Sequence, residues 1–88
     1  MKIVVLQWDR QNLEHIARHG VEKEEVEEVF DQFHILRKVW KGRYAVRGQT
    51  YSGRYLMIFL DSLGQGRAYV VTAREMTSQE KKRFRSYR

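Results

Sequence analysis

The feature that most restricts this chain is the stretch from Arg43 to Asp61, two segments rich in aromatic and β-branched residues that meet at Ser52-Gly53. A glycine there supplies the positive φ of a tight two-residue turn, so the stretch predicts a β-hairpin. The turn sets a register. Tyr51 then faces Arg54, Gln49 faces Leu56, Arg47 faces Ile58 and Ala45 faces Leu60 on one side of the sheet. Tyr44, Val46, Gly48 and Thr50 lie with Tyr55, Met57, Phe59 and Asp61 on the other. The second side is greasier and is expected to receive the helices. Arg47, Gln49, Tyr51 and Arg54 remain as a cationic, aromatic surface near the turn.

Upstream, Lys41-Gly42 predicts a second turn that pairs Val39 with Tyr44, Arg37 with Val46 and Ile35 with Gly48. Phe33, Ile35 and Val39 join the greasy side, and His34, Leu36, Lys38 and Trp40 join the cationic one. The registers derived from the two turns agree with each other.

The flanking segments complete a small α+β domain. Residues 2–7, led by Ile3, Val4, Val5 and Leu6, read as a first strand buried on both faces. Asp9 stands where a helix N-cap belongs, and Leu13, Ile16 and Ala17 share one face of the helix that follows, ended by Gly20. A second stripe, Trp8, Asn12, His15 and His19, points both histidines the same way. A second helix over residues 23–32 turns Val26, Val29, Phe30 and then Phe33 inward, with Glu24, Glu25, Glu27 and Glu28 outside. Ser62 to Gly66 is a turn, without the following helix or Lys-Ser/Thr of a nucleotide-binding loop. Residues 67–73 form the last strand. Thr77-Ser-Gln-Glu80 is a capping box that opens a basic C-terminal helix from residue 78, carrying Lys81, Lys82, Arg83, Arg85 and Arg88, with Phe84 and Tyr87 as its apolar anchors.

Eighty-eight residues, 42% apolar and 32% charged, make one domain spanning residues 1–88. No apolar run reaches the length of a membrane span or has the form of a signal peptide, so a cytoplasmic protein is expected. The absence of cysteine removes disulfide and thiolate chemistry. The net charge of +6 is unevenly distributed: residues 1–33 hold four Lys/Arg against eight Asp/Glu, and residues 34–88 hold thirteen against three. A basic sheet and C-terminus suit a polyanion such as RNA, against the plainer reading of a solvated charged surface.

The His15–His19 pair can share a metal ion or transfer protons. No Glu follows His15 and no third ligand is evident, so the zinc-protease pattern is absent and no metal or cofactor is expected. Hydrogen bonds to Asn12 and to backbone near the helix end explain the pair equally well.

Trp8-Asp9, Asn12, His15-Ile16, Arg18-His19-Gly20-Val21, Glu25-Val26, Val29-Phe30, Gly48-Gln-Thr50, Gly53-Arg54-Tyr-Leu56 and residues 72–77 with Glu80 form an ordered series over nearly the whole chain. In that series the chain resembles the BrnT-type toxins of bacterial type II toxin-antitoxin systems. The resemblance implies a RelE/ParE-like fold, a small antiparallel β-sheet with two N-terminal helices and one basic C-terminal helix, the helices lying on one side. It also implies a ribonuclease that stops translation, neutralised by a ribbon-helix-helix antitoxin through which alone operator DNA is bound. The chain departs from the pattern in three places: Arg18 where a Lys is common, His15 where an Asn is, and Phe84 where the family carries a Tyr four residues after the Glu.

Metal-free RNA cleavage needs a base near the ribose 2′-OH, cations for the developing phosphorane and an acid for the leaving oxygen. Arg54 and Arg74 are the expected phosphate clamps and His19 the expected base or acid, with His15 and Glu80 as further catalytic candidates. Arg47, Lys38, Lys81 and Arg83 are expected to bind RNA, with Trp40 and Tyr51 stacking on bases. Each has a plainer role: cross-strand packing for Trp40 and Tyr51, a cation-π contact with Tyr51 for Arg54, a pair with Glu75 or helix two for Arg74, capping for Glu80. The alternative to an enzyme is a non-catalytic module of the same fold that binds RNA or an antitoxin. A weaker third reading is a metal-dependent hydrolase acting through the two histidines.

Overall fold

The computed structural model describes residues 2–3 and 5–87; Val4 of the expected first strand and Arg88 of the basic helix lie outside the described residues. The order of elements is β1 (Val5–Gln7), α1 (Arg10–Ala17), α2 (Lys23–Asp31), β2 (His34–Trp40), β3 (Arg43–Gln49), β4 (Tyr55–Gly64), β5 (Arg67–Glu75) and α3 (Ser78–Ser86). The strands form one sheet in the order β1-β5-β4-β3-β2. It is mixed rather than antiparallel, because β1 runs parallel to β5 along Val5–Gln7. β1 is also an edge strand with Val5 47% exposed, not a strand buried on both faces.

The β3–β4 register differs from expectation by one residue. Gln49 pairs with Tyr55, Arg47 with Met57, Ala45 with Phe59 and Arg43 with Asp61. The cause lies in the turn, where Thr50 N–H donates to Arg54 O at 2.9 Å and Gly53 N–H to Thr50 O at 3.0 Å. Three residues, Tyr51 to Gly53, therefore form the loop, and Gly53 takes φ +94° at its end. This is the three-residue hairpin in which a glycine occupies the left-handed position. A slip of one residue turns a whole strand over. Leu56, Ile58 and Leu60 of β4 thus join Val46 of β3 on one face, while Met57 and Phe59 join Ala45 on the other.

The β2–β3 hairpin slips in the same sense. Trp40 pairs with Arg43 as Lys41-Gly42 requires, but a bulge at Val39 moves the rest, so Leu36 faces Val46 and Ile35 faces Arg47. Leu36 consequently packs with the helices and Ile35 on the opposite face.

Helices cover both faces rather than one. Ile16 of α1, Val21 and then Val26 and Val29 of α2 pack on Val46, Leu56, Ile58, Leu60, Ala68, Val70 and Ala73. Gly48 lets α2 approach, since a Cβ there would stand 2.6 Å from Val29 Cγ1. On the far face Phe84 of α3, 1% exposed, packs with Ile35, Ala45, Met57 and Met76. Phe33, expected in the main core, is 48% exposed and meets the Phe84 ring at 5.7 Å.

The expected caps form. Asp9 accepts from Asn12 N–H while Asn12 Oδ1 accepts from Asp9 N–H, both at 2.9 Å. Asn12 Nδ2 also donates to Gln7 O at 3.0 Å, so this buried amide ties α1 to β1. Leu13 and Ala17, expected inside, are exposed; Ile16 alone carries the apolar contact of α1 into the core. After the helix, Gly20 N–H donates to Ala17 O and Val21 N–H to Ile16 O, the paired bonds of a Schellman ending. Thr77 and Glu80 form their capping box at 2.8 and 3.2 Å.

Candidate nucleic-acid interface

The corrected register separates the two arginines expected to act together. Met57 and Arg74 are partners across β4–β5, as are Leu56 and Glu75, so Arg74 lies on the α3 face and Glu75 on the face of α1 and α2. Arg54 reaches that second face. Its Nε donates to Glu75 Oε2 at 2.9 Å, and its Nη1 donates to Glu25 at 2.9 and 3.0 Å and to Gly20 O at 2.8 Å. The Glu75 and Glu25 carboxylates raise the Arg54 pKa further. The side chain, 25% exposed, therefore joins the end of α1, the start of α2 and the end of β5.

His15 is on α1 and His19 in the turn that follows it, with ring centroids 5.5 Å apart and edge to face. His15 is half-buried beside Gln11, Asn12, Tyr69 and Val71, and His19 is exposed. Among the described residues no group of three or more His, Asp or Glu is placed to hold a metal ion. Tyr51 is turned toward the acidic helix: its N–H donates to Glu28 at 2.9 Å and its hydroxyl to Asp31 at 2.7 Å, which raises the phenol's pKa. Trp40, 76% exposed, is at the other end of β3, beside Lys41, Gly42, Asp61 and Ser62. Along a seven-residue strand, that separates the two aromatics by about 20 Å. Lys38, at the outer edge on β2, is exposed.

A different set meets on the α3 face. One row across the sheet runs Ile35, Arg47, Met57, Arg74, and the next runs Arg37, Ala45, Phe59, Thr72. Arg74 donates from Nη1 and Nη2 to the two Glu80 oxygens at 2.8 and 3.1 Å, and its guanidinium stands 5.9 Å from the centre of the Phe59 ring. Glu80 is held down at about 2, first by Arg74, then by the Thr77 amide, with Arg47 adding to the effect. It is a fixed anion at neutral pH. Arg47 is half-buried, and among the described residues no carboxylate lies within ion-pair distance of it. Arg47 shares a cross-strand row with Met57 and Arg74 on this face.

The helix contributes through its turn spacing. Phe84 is the buried anchor, and Glu80 and Tyr87 stand four residues before it and three after. The Tyr87 hydroxyl accepts from Arg37 Nη2 at 2.8 Å, and that guanidinium lies 5.5 Å from the ring centre. A tyrosine hydroxyl is thus present beside α3 even though Phe84 takes the inward position. Arg83 follows Glu80 by one turn and is exposed, whereas Lys81 and Arg85 flank the Tyr55 ring at 5.5 and 5.4 Å.

Of the expected residues, then, Arg47, Arg74 and Glu80 are together; His15, His19 and Arg54 are on the opposite side of the sheet; Tyr51 and Trp40 are at opposite ends. Arg37 and Phe59 were not singled out from sequence as site residues, and Tyr87 was read there chiefly as an apolar anchor of the helix. Tyr87 was legible through its i+7 spacing from Glu80, while Arg37 and Phe59 were hidden by the two register slips.

No protein-family model matches the sequence, and no curated protein does either. A solved structure does: the crystal structure of the Brucella abortus ribonuclease toxin BrnT superposes with a TM-score of 0.64 over 89% of this chain and 99% of that one, at 17% identity. The chain therefore has a BrnT-like fold. Among the described residues no helix is long and apolar enough to cross a membrane.

Proposed function

We propose that this chain, with the fold of a ribonuclease toxin, is itself an RNA-cleaving toxin whose site is the strip between α3 and β3–β5. The observation that carries the reading is Arg47, a half-buried guanidinium that forms no direct ion pair among the described residues, set near the Arg74–Glu80 pair, whose carboxylate feels its charge. A half-buried cation that lacks a direct ion pair has donors free for an arriving phosphate.

In this reading Arg47 and Arg74 hold the scissile phosphate and stabilise the charge that develops on its oxygens. Glu80 orients Arg74 and takes the 2′-OH proton as the 2′-oxygen attacks phosphorus. The Tyr87 hydroxyl, near Arg37, returns a proton to the departing 5′-oxygen, leaving a 2′,3′-cyclic phosphate and a 5′-OH. No metal or cofactor takes part. Arg83 and Lys81 extend the phosphate track. Arg54 holds the opposite face together, His15 and His19 lie on that face away from the strip, and Tyr51 is kept from RNA by Glu28 and Asp31. The remaining parts of the proposal follow the toxin resemblance: a RelE/ParE-type relationship, action in the cytoplasm, neutralisation by a ribbon-helix-helix antitoxin, and operator DNA reached only through that antitoxin.

One observation favours a non-catalytic RNA-binding module instead. Glu80, at about 2, is a weak base, and its oxygens already serve Arg74 and the Thr77 amide. The two readings separate on induced expression of the wild type beside Arg47→Ala, Tyr87→Phe and His19→Ala, each first shown to be folded by circular dichroism. Growth arrest and RNA loss with wild type and His19→Ala, but not with Arg47→Ala, is the expected result. Intact RNA with wild type would leave the binding module as the better account. Activity that survives Arg47→Ala but not His19→Ala would move the site to the other face.

A further inference from the structure

Phe59 has no part in the chemistry above, yet it occupies the middle strand of the sheet with its ring only half-buried. Its neighbour on the same face, Met57, is 2% exposed beneath α3, so the helix covers one residue of this pair and leaves the other open. The residues directly across from Phe59 are Ala45 and Thr72, both small, and they raise no wall on either side of the ring. Beyond Ala45 the row ends in Arg37, and Arg74 stands 5.9 Å from the ring centre. The carboxylate two residues further along β4, Asp61, is neutralised by Arg43 through bonds of 2.7 and 2.9 Å. A half-buried aromatic ring with low cross-strand neighbours and a guanidinium beside it has the features of a surface for a stacked nucleobase.

We infer that Phe59 is a nucleobase-stacking platform, which carries the base of a nucleotide whose phosphate Arg47 and Arg74 hold. The inference rests on the RNA reading of this face and adds a subsite to it. Stacking on an aromatic ring tolerates any base, so the subsite supplies affinity and alignment of the ribose rather than sequence choice. The ring's place on a central strand, between two paired neighbours, makes it a rigid platform where the exposed Trp40 at the sheet corner is not.

The test is fluorescence anisotropy with a short 2′-O-methyl oligoadenylate, which cannot be cleaved, and an abasic sugar-phosphate oligomer of equal length. Phe59→Leu keeps an apolar side chain, and Phe59→Tyr keeps the ring. Phe59→Leu is expected to weaken oligoadenylate binding about tenfold and leave the abasic oligomer unaffected, while Phe59→Tyr binds both like the wild type. Equal affinity of wild type and a folded Phe59→Leu for oligoadenylate would overturn the platform. So would equal affinity of the wild type for both probes, which would leave phosphate binding intact. Failure of the wild type to bind either probe would remove the RNA reading itself, and the platform with it.

Discussion

Arg54 shows how a residue that suits phosphate can be spent on the fold. Three acceptors from three elements meet its guanidinium, and the planar fork is what lets it serve Glu25, Glu75 and the Gly20 carbonyl together. Arg54→Ala leaves Glu25 without its cation in a half-buried setting, and is expected to lower the stability measured by urea unfolding by about 2 kcal/mol. Arg54→Lys should recover less than half of that, because an ammonium cannot bridge the same three acceptors. Glu80 adds a pH dependence on the other face. Its folded pKa of about 2 lies below the ordinary 4.5, so its contribution is complete above the ordinary value and is lost as pH falls from 4.5 toward 2. Allowing for screening by water, the contribution at neutral pH is of order 1–2 kcal/mol. Glu80→Gln should therefore be less stable than wild type at pH 7, and the two unfolding curves should converge near pH 2.

At the scale of elements, the positions of the strands and caps were legible and their registers were not. Asp9, Thr77 and Gly20 each act through neighbours three to five residues away, so local spacing alone reveals them. The Ser52-Gly53 turn is different. Glycine marks a left-handed residue in both the two- and the three-residue hairpin, and nothing local separates the two. The three-residue form is held from outside the turn, where Glu28 of α2 accepts from Tyr51 N–H, and from within it, where Thr50 Oγ1 accepts from Arg54 N–H. The two turns agreed with each other on paper because both were slipped by one residue. Their agreement was one of consistency and not of burial, and the slip joined Arg54 to Arg74 and hid Phe59. Gly48 provides the check on the corrected register. Its Cα faces Val29 and His34, and the Cβ of Gly48→Ala would enter within 2.6 Å of a buried methyl. That variant is expected to cost about 1–3 kcal/mol by moving α2 off the sheet. Val29→Ala in the same chain should restore part of the loss, a coupling that a double-mutant cycle reads directly.

Over the whole molecule the sheet divides charge. Residues 1–33 carry an excess of four acids and are packed largely on one face, while the remaining residues carry an excess of ten bases and supply α3 and the strip beside it. The acidic side does two things at once. It satisfies Arg54, which would otherwise be a second phosphate site, and it repels a polyanion from the face where Tyr51 and the histidines lie. RNA is thereby directed to the α3 side, so its affinity should report only the cations there. If Arg37, Arg47, Arg74 and Arg83 each neutralise one phosphate of a single strand, the logarithm of the binding constant should fall against the logarithm of salt with a slope of about −3. Arg47→Ala should reduce the magnitude of that slope by about 0.7, while Arg54→Ala, if it remains folded, should leave it unchanged. The second half of this prediction is the sharper one. A slope that responds to Arg54 would mean that RNA wraps onto the acidic side, and the division of labour between the two faces would then be wrong.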